Sequence, residues 1–225
     1  MQNKKQNLIT SEFINRDKIE TTNKPKDWGG NRRTTYAQLG ASNHTDGERE
    51  KHDFYATDPI AIDRLVQVYD IPEKIVEISA GNGHLSQRLK DLGHNVISYD
   101  LVQRNYPLDK VQNFLECEEL PKGYNVLTNP PFNISLEFVL HSLKLLEDGQ
   151  QAIFFLKIQF LESSKRYKEL FSKYPPKHIF VFSERCLCAM NGEFEINGKR
   201  QSSAVCYAWY IWEKGYKGQT ILGWC

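Results

Sequence analysis

Four short apolar runs, each broken by a sharp turn, constrain most of what this chain can fold into. "KIVEIS" (74–79), "NVISYD" (95–100), "YNVLT" (124–128) and "QAIFFL" (151–156) are rich in β-branched and aromatic residues. They are too short for buried helices and read as buried strands. Helical patterns lie between them. "GHLSQRLKDLG" closes on Gly93, and after Asn133 the residues Leu136, Val139, Leu140, Leu143 and Leu146 share one helical face. Upstream, Thr57-Asp58-Pro59 is an N-cap followed by an early-turn proline, which starts a helix through "IAIDRLVQVY". A short strand is expected around Asn113-Phe114-Leu115. "SSKRYKELFSKY" predicts a helix with Tyr167, Leu170, Phe171 and Tyr174 turned inward. "HIFVFS" and "AVCYAWYIW" close the series with no helix between them, and Trp209, Tyr210 and Trp212 read as packing residues. Strands alternating with helices, then two strands in direct succession, describe an α/β fold. Its sheet is mostly parallel and seven-stranded, with an antiparallel last strand.

With 225 residues, 40% hydrophobic and 25% charged, the chain holds one sizeable domain with appendages. Residues 1–50 read as a polar, partly ordered arm and 51–217 as the main domain. Residues 184–203 form an insertion with a hairpin signal at Asn197-Gly198, and 218–225 a tail. No apolar run near the N-terminus is long enough for a signal peptide or a spanning helix, so a cytoplasmic protein with no membrane role is expected. Five cysteines without paired spacing fit reduced thiols and no metal site. A monomer or weak homodimer is expected.

"VEISAGNGHLSQRL" ends a strand in Gly81-Asn82-Gly83 and opens a helix, giving a tight turn and a helix N-terminus with unpaired N–H groups. Asp100 ends the next strand nineteen residues after Gly81, where a carboxylate can accept from both ribose hydroxyls of an adenosine cofactor. A nicotinamide dinucleotide or S-adenosylmethionine would fit. Ser86 stands where the dinucleotide fingerprint has its third glycine, and acidic Glu77 suits the amine of S-adenosylmethionine. After the strand at 124–128 comes Asn129-Pro130-Pro131-Phe132. Two prolines cannot continue a central strand and make a stiff corner at its end.

Together, "VEISAGNG", "YD" and Asn-Pro-Pro-Phe resemble the amino-methyltransferases, especially the small phage-type DNA N6-adenine methyltransferases. "DFYATDPIAIDRL", "FFLKIQFLESSKRY" and "YAWYIWEKGYKG" are similar to other motifs of that group, and the resemblance covers roughly residues 52–217. It implies a Rossmann-like methyltransferase fold and S-adenosylmethionine as cofactor. The cofactor residues it implies are Tyr55, Thr57, Pro59, Glu77, Ser79, Ala80, Gly81, Asn82, Gly83, Asp100, Asn113 and Phe114. Asn129, Pro130, Pro131 and Phe132 would be catalytic. Three positions depart from the family pattern: Asn113 replaces the usual Asp, and Ile78 and Asp58 replace prolines.

The chemistry of the corner agrees with this. The lone pair of an adenine amine is delocalised into the ring. The Asn129 side-chain oxygen and the Pro130 carbonyl can both accept from that NH₂, favouring a pyramidal nitrogen and stabilising the charge that develops on attack. Phe132 can stack on the base.

The corner alone does not separate adenine from guanine, since ribosomal guanine-N2 enzymes carry similar residues. The flanking resemblance favours adenine in DNA, with RNA as the alternative. Lys165, Arg166, Arg185, Lys199 and Arg200 follow strands on the side where the corner opens, and they are candidate nucleic-acid contacts. A module that binds cofactor and nucleic acid without transferring a methyl group is the reading of a different class.

Overall fold

The computed structural model describes residues 56–189, 194–196, 199–200 and 205–225. The arm at 1–50 and Tyr55 lie outside the described residues. β1 (Ala56–Thr57) leads into α1 (Ile60–Leu65), where Asp58 Oδ1 caps by accepting from Ile60 N at 3.0 Å. The four apolar runs become β2 (Lys74–Glu77), β3 (Asn95–Asp100), β5 (Asn125–Thr128) and β6 (Gln151–Lys157). α2 (His84–Asp91) and α3 (Ser135–Leu145) follow β2 and β5. The expected strand at 113–115 is instead β4 (Lys110–Val111) followed by a 3₁₀ turn at Phe114–Glu116. There the Asn113 side chain accepts from Leu115 N, which bends the chain out of the strand at that point.

The remaining elements are α4 (Ser164–Arg166), β7 (His178–Val181), β8 (Cys188–Ala189), β9 (Glu195–Ile196), β10 (Lys199–Arg200), β11 (Tyr207–Glu213) and β12 (Ile221–Trp224). The helix expected over 163–174 is a single α-turn that widens into a π-turn at Tyr167–Phe171. Ser172 N donates to Tyr167 O, five residues back, at 2.9 Å. That wider winding breaks the 3.6-residue period. Leu170 is fully buried, but Tyr167 turns outward and is 64% exposed.

The main sheet has eight strands in the order β12-β7-β11-β6-β5-β2-β3-β4. The seven-stranded expectation omitted β12. The tail adds a strand parallel to β7, with Ile221 opposite His178 and Trp224 opposite Val181. Within this sheet β11 alone runs antiparallel to its neighbours, lying between β6 and β7. Cores on both faces cover the central strands. Val76, Phe154 and Tyr210 pack on one side, and Ile75, Phe155 and Trp209 on the other. Trp209, Tyr210 and Trp212 are all at most 1% exposed, and Trp209 Nε1 donates to Ala61 O at 2.9 Å. Among the described residues no helix is long and apolar enough to cross a membrane.

This topology places the site. β2, β3 and β4 wind to one side, while β5 and β6 wind to the other. The strand order therefore reverses between β2 and β5, which pair in parallel through Ile75–Asn125 and Val76–Val126. In open α/β sheets the crevice beyond the carboxyl ends at such a reversal is where ligands bind.

Candidate active site

A cleft opens at that reversal, lined by Thr57, Glu77, Ser79, Ala80, Asp100 and the whole corner from Asn129 to Phe132, among others. Residues far apart in sequence thus converge on one cavity. Gly81 and Gly83 take positive φ values of 57° and 74°, which turn the chain sharply from β2 into α2. Asp100 lies beside this turn. Its Oδ2 accepts from Gly81 N at 2.8 Å, and its Oδ1 accepts from Val102 N at 2.9 Å and from Arg104 Nη1 at 3.1 Å. Each carboxylate oxygen has room for two donors, so Oδ2 keeps a free acceptor site within this set of bonds. A ribose diol that takes both oxygens must displace the Arg104 contact. Leu101 and Val102 supply apolar lining next to it.

Asn129 holds the corner's central acceptor. Its Nδ2 donates to Thr57 Oγ1 at 2.7 Å and contacts Cys188 Sγ at 3.7 Å. With the amide nitrogen fixed on that side, Oδ1 faces the other way, is buried and has no hydrogen-bond partner. An unpaired buried acceptor is costly unless a ligand donor completes it. The backbone of the corner is braced as well. Ser79 Oγ donates to the Asn129 carbonyl at 2.9 Å and lies 2.5 Å from Thr128 Oγ1. The β1–β8 pair, with Thr57 opposite Cys188, carries both residues that hold the amide nitrogen. Burial pushes the Cys188 thiol up to about 12, so it stays a neutral contact.

Glu77 is 2% exposed, and burial pushes its carboxyl up to about 8, against hydrogen bonds from Ser86 that favour the ionised form. Folding therefore raises this pKa from an ordinary 4.5, and the unfolded chain gives up the proton first. The stability this group contributes is present below pH 4.5 and is lost as pH rises through about 8. Glu77→Gln keeps a neutral group in the same seat. The variant should match the wild type near pH 4.5 and melt at a higher temperature above pH 8, read by thermal denaturation across that range.

Other expected site residues sit elsewhere. Asn113 and Phe114 do not line the cleft. Asn113 caps the 3₁₀ turn and its Nδ2 donates to Glu116 at 2.9 Å, while Phe114 is buried against Phe138 and His141. Pro59 starts α1 outside the lining. Gly81, Asn82 and Gly83 form the turn into α2 and are not among the residues lining the cleft, and Asn82 Oδ1 is a second buried acceptor without a partner.

Among the candidate cations, the guanidinium of Arg166 donates to the carbonyls of Phe160 at 2.6 Å, Gln159 at 3.1 Å and Glu162 at 2.7 Å. That use clamps the turn after β6. Lys165 reaches Glu137 at 3.5 Å, and Arg185 is exposed after β7. Lys199 and Arg200 pair with Ile196 and Glu195 in a two-stranded ribbon, and their side chains lie outside the described residues. Sequence reading did not pick out Arg104, Leu101 and Val102, although each closely follows the strand-ending Asp100. Nor did it pick out Cys188, whose role depends on a contact with Asn129 across 59 residues. Among the described residues no cluster of three or more His, Cys, Asp or Glu is arranged to hold a metal ion.

No protein-family model matches the sequence, and no curated protein matches it. Solved structures do. A candidate RNA methyltransferase from Pyrococcus horikoshii matches with a TM-score of 0.53 at 17% identity, over 81% of this chain and 98% of that one. The 23S rRNA methyltransferase ErmE matches with a TM-score of 0.48 at 15% identity, over 74% of this chain and 70% of that one. A candidate class I S-adenosylmethionine-dependent methyltransferase from Listeria monocytogenes matches with a TM-score of 0.48 at 12% identity, over 86% and 71%. Strand order, the antiparallel β11 and the likeness to the Pyrococcus structure agree: this chain has a Rossmann-like methyltransferase fold.

Proposed function

We propose that this protein is an S-adenosylmethionine-dependent methyltransferase acting on the exocyclic N6 amine of adenine in nucleic acid. The observation that carries the reading is the buried, unpartnered Oδ1 of Asn129, aimed away from the Thr57 contact that fixes its amide. The cleft fits the cofactor, with a carboxylate at the end of β3, a glycine turn beside it and apolar Leu101 and Val102 alongside. When bound, S-adenosylmethionine supplies an electrophilic methyl group on a sulfonium.

The chain's own residues prepare the amine. Asn129 Oδ1 and the Pro130 carbonyl accept its two hydrogens, which draws the lone pair out of conjugation and stabilises positive charge on nitrogen. Phe132 holds the base face, and the two prolines keep the acceptors from relaxing. Bound S-adenosylmethionine would supply the methyl carbon to this nitrogen, and Asn129 Oδ1 and the Pro130 carbonyl would hold the amine proton that is then released to solvent. Because the acceptors are fixed before the substrate arrives, no reorganisation is needed at the moment of transfer.

The positioning role of Thr57 is open to test. Thr57→Val removes the acceptor that orients Asn129 and should cost about 1 kcal/mol, or five- to tenfold, in transfer rate. Melting temperature should fall by only about 2–4 °C, the equivalent of that one hydrogen bond. Equal transfer rates for variant and wild type would remove Thr57 from the mechanism.

DNA as the nucleic acid follows from the sequence resemblance. RNA is the second reading, supported by the description of the Pyrococcus protein as a candidate RNA methyltransferase. The test is incubation with methyl-labelled S-adenosylmethionine and duplex DNA, single-stranded DNA or total RNA, followed by digestion to nucleosides. Label in N6-methyldeoxyadenosine is expected. Label in N6-methyladenosine would move the substrate to RNA, label in guanine would overturn the base assignment, and label in none would overturn the activity.

A further inference from the structure

Lys157 is the last residue of β6, and its cross-strand partner on β11 is Tyr207. The Tyr207 ring stacks on Phe132, with centroids 5.9 Å apart and planes 26° from parallel. Lys157 Nζ stands over the same Phe132 ring, 4.6 Å from its centroid. Among the described residues no carboxylate lies within ion-pair distance of it. Lys157 is half-buried, so part of its hydration has been given up with no counter-charge among the described residues in return.

The neighbouring cations differ. Arg166 is committed to three carbonyls and Lys165 to a carboxylate. Contact with an aromatic face is a weak reason to hold an ammonium at this spot. An incoming anion is a better one. A base stacked on Phe132 brings its own sugar and phosphate to the rim of the same ring. Lysine is a point charge on a flexible stem, able to meet a phosphate without a fixed fork geometry.

We propose that Lys157 positions the substrate by taking a phosphate oxygen of the nucleotide whose base stacks on Phe132. The inference rests on the nucleic-acid reading above and adds a contact to it. Such a contact carries no sequence information and acts through charge. It fixes the reach of the base into the corner, and the Asn129 and Pro130 acceptors perform the chemistry.

The experiment compares wild type, Lys157→Gln and Lys157→Arg in two assays on one oligonucleotide across a salt series. One assay measures methyl transfer; the other measures binding by fluorescence anisotropy without turnover. For Lys157→Gln at low salt, KM should rise about tenfold and account for most of the loss. The slope of log affinity on log salt should shrink by about 0.7–0.9, the contribution of one phosphate. Lys157→Arg should restore that slope. A fall in kcat with an unchanged slope would overturn the proposal and leave Lys157 as a packing partner of Phe132. The two readings fail separately. Binding with a Lys157-dependent slope but no transfer to any nucleic acid would sink the transferase reading and keep the phosphate contact. Transfer with a Lys157-independent slope would do the reverse.

Discussion

Asn129→Ala is expected to lower the rate of methyl transfer by roughly 10²–10³-fold, the loss typical when one preorganised group stabilising a transition state is removed. The size follows from where the oxygen sits. Oδ1 is buried, has no partner within the protein, and is held in its direction by Nδ2 bonds to Thr57 and Cys188. It therefore meets the amine with no competing donor from the protein. Truncation leaves Pro130 as the remaining acceptor and lets the amine lone pair fall back into the ring. Stability should fall by only about 1 kcal/mol, the net worth of the Thr57 hydrogen bond. Cofactor binding, measured by titration calorimetry, should be retained, because the glycine turn and Asp100 are untouched. Single-turnover transfer close to the wild-type rate would dismiss the corner as the catalytic centre. A variant that bound nucleic acid normally and kept its biological effect without transfer would favour a binding module.

The fold was largely legible because its determinants are local. Each of the runs at 74–79, 95–100, 124–128 and 151–156 carries enough β-branched and aromatic surface to declare a buried strand. The corner was legible for a similar reason, since two prolines after a strand admit few conformations. The misreadings lie where a distant partner decides. β12 has Ile221, Leu222 and Trp224 all more than half exposed, so no alternation of apolar and polar residues marks it. It is a strand because β7 offers an edge. Arg166 reads as a contact for nucleic acid, and its guanidinium also donates to three carbonyls four to seven residues back, a local use that composition does not reveal. The Thr57–Asn129 hydrogen bond joins residues 72 apart, and it depends on β1 pairing with β8 at the mouth of the cleft. Lys157 was hidden by its position, because a lysine at a strand end usually marks solvent.

Gly83→Ala should destabilise the protein by about 2–4 kcal/mol from two separable causes. The first is backbone. At φ 74° an L-residue bears the left-handed penalty, about 1–2 kcal/mol. The second is contact, because a Cβ built at Gly83 would stand 2.2 Å from Cγ and Cδ2 of Tyr106, so the ring must leave. That ring is held in place, with its hydroxyl 2.9 Å from Lys90 Nζ. Gly93→Ala provides the comparison. It has φ 92°, and nothing lies within 4 Å of the added Cβ, so it carries the backbone penalty alone. Removing the ring with Tyr106→Ala should relieve Gly83→Ala by about 1–2 kcal/mol and leave Gly93→Ala unchanged, a coupling that denaturant titration of the double variants resolves. Equal losses at both glycines, with no relief from Tyr106→Ala, would mean that the ring is free to swing aside. The functional consequence is separable too. Displacing the loop between β2 and α2 disturbs the Gly81 N–H that holds Asp100 Oδ2. Cofactor affinity should therefore fall with Gly83→Ala and not with Gly93→Ala, which lies at the far end of α2.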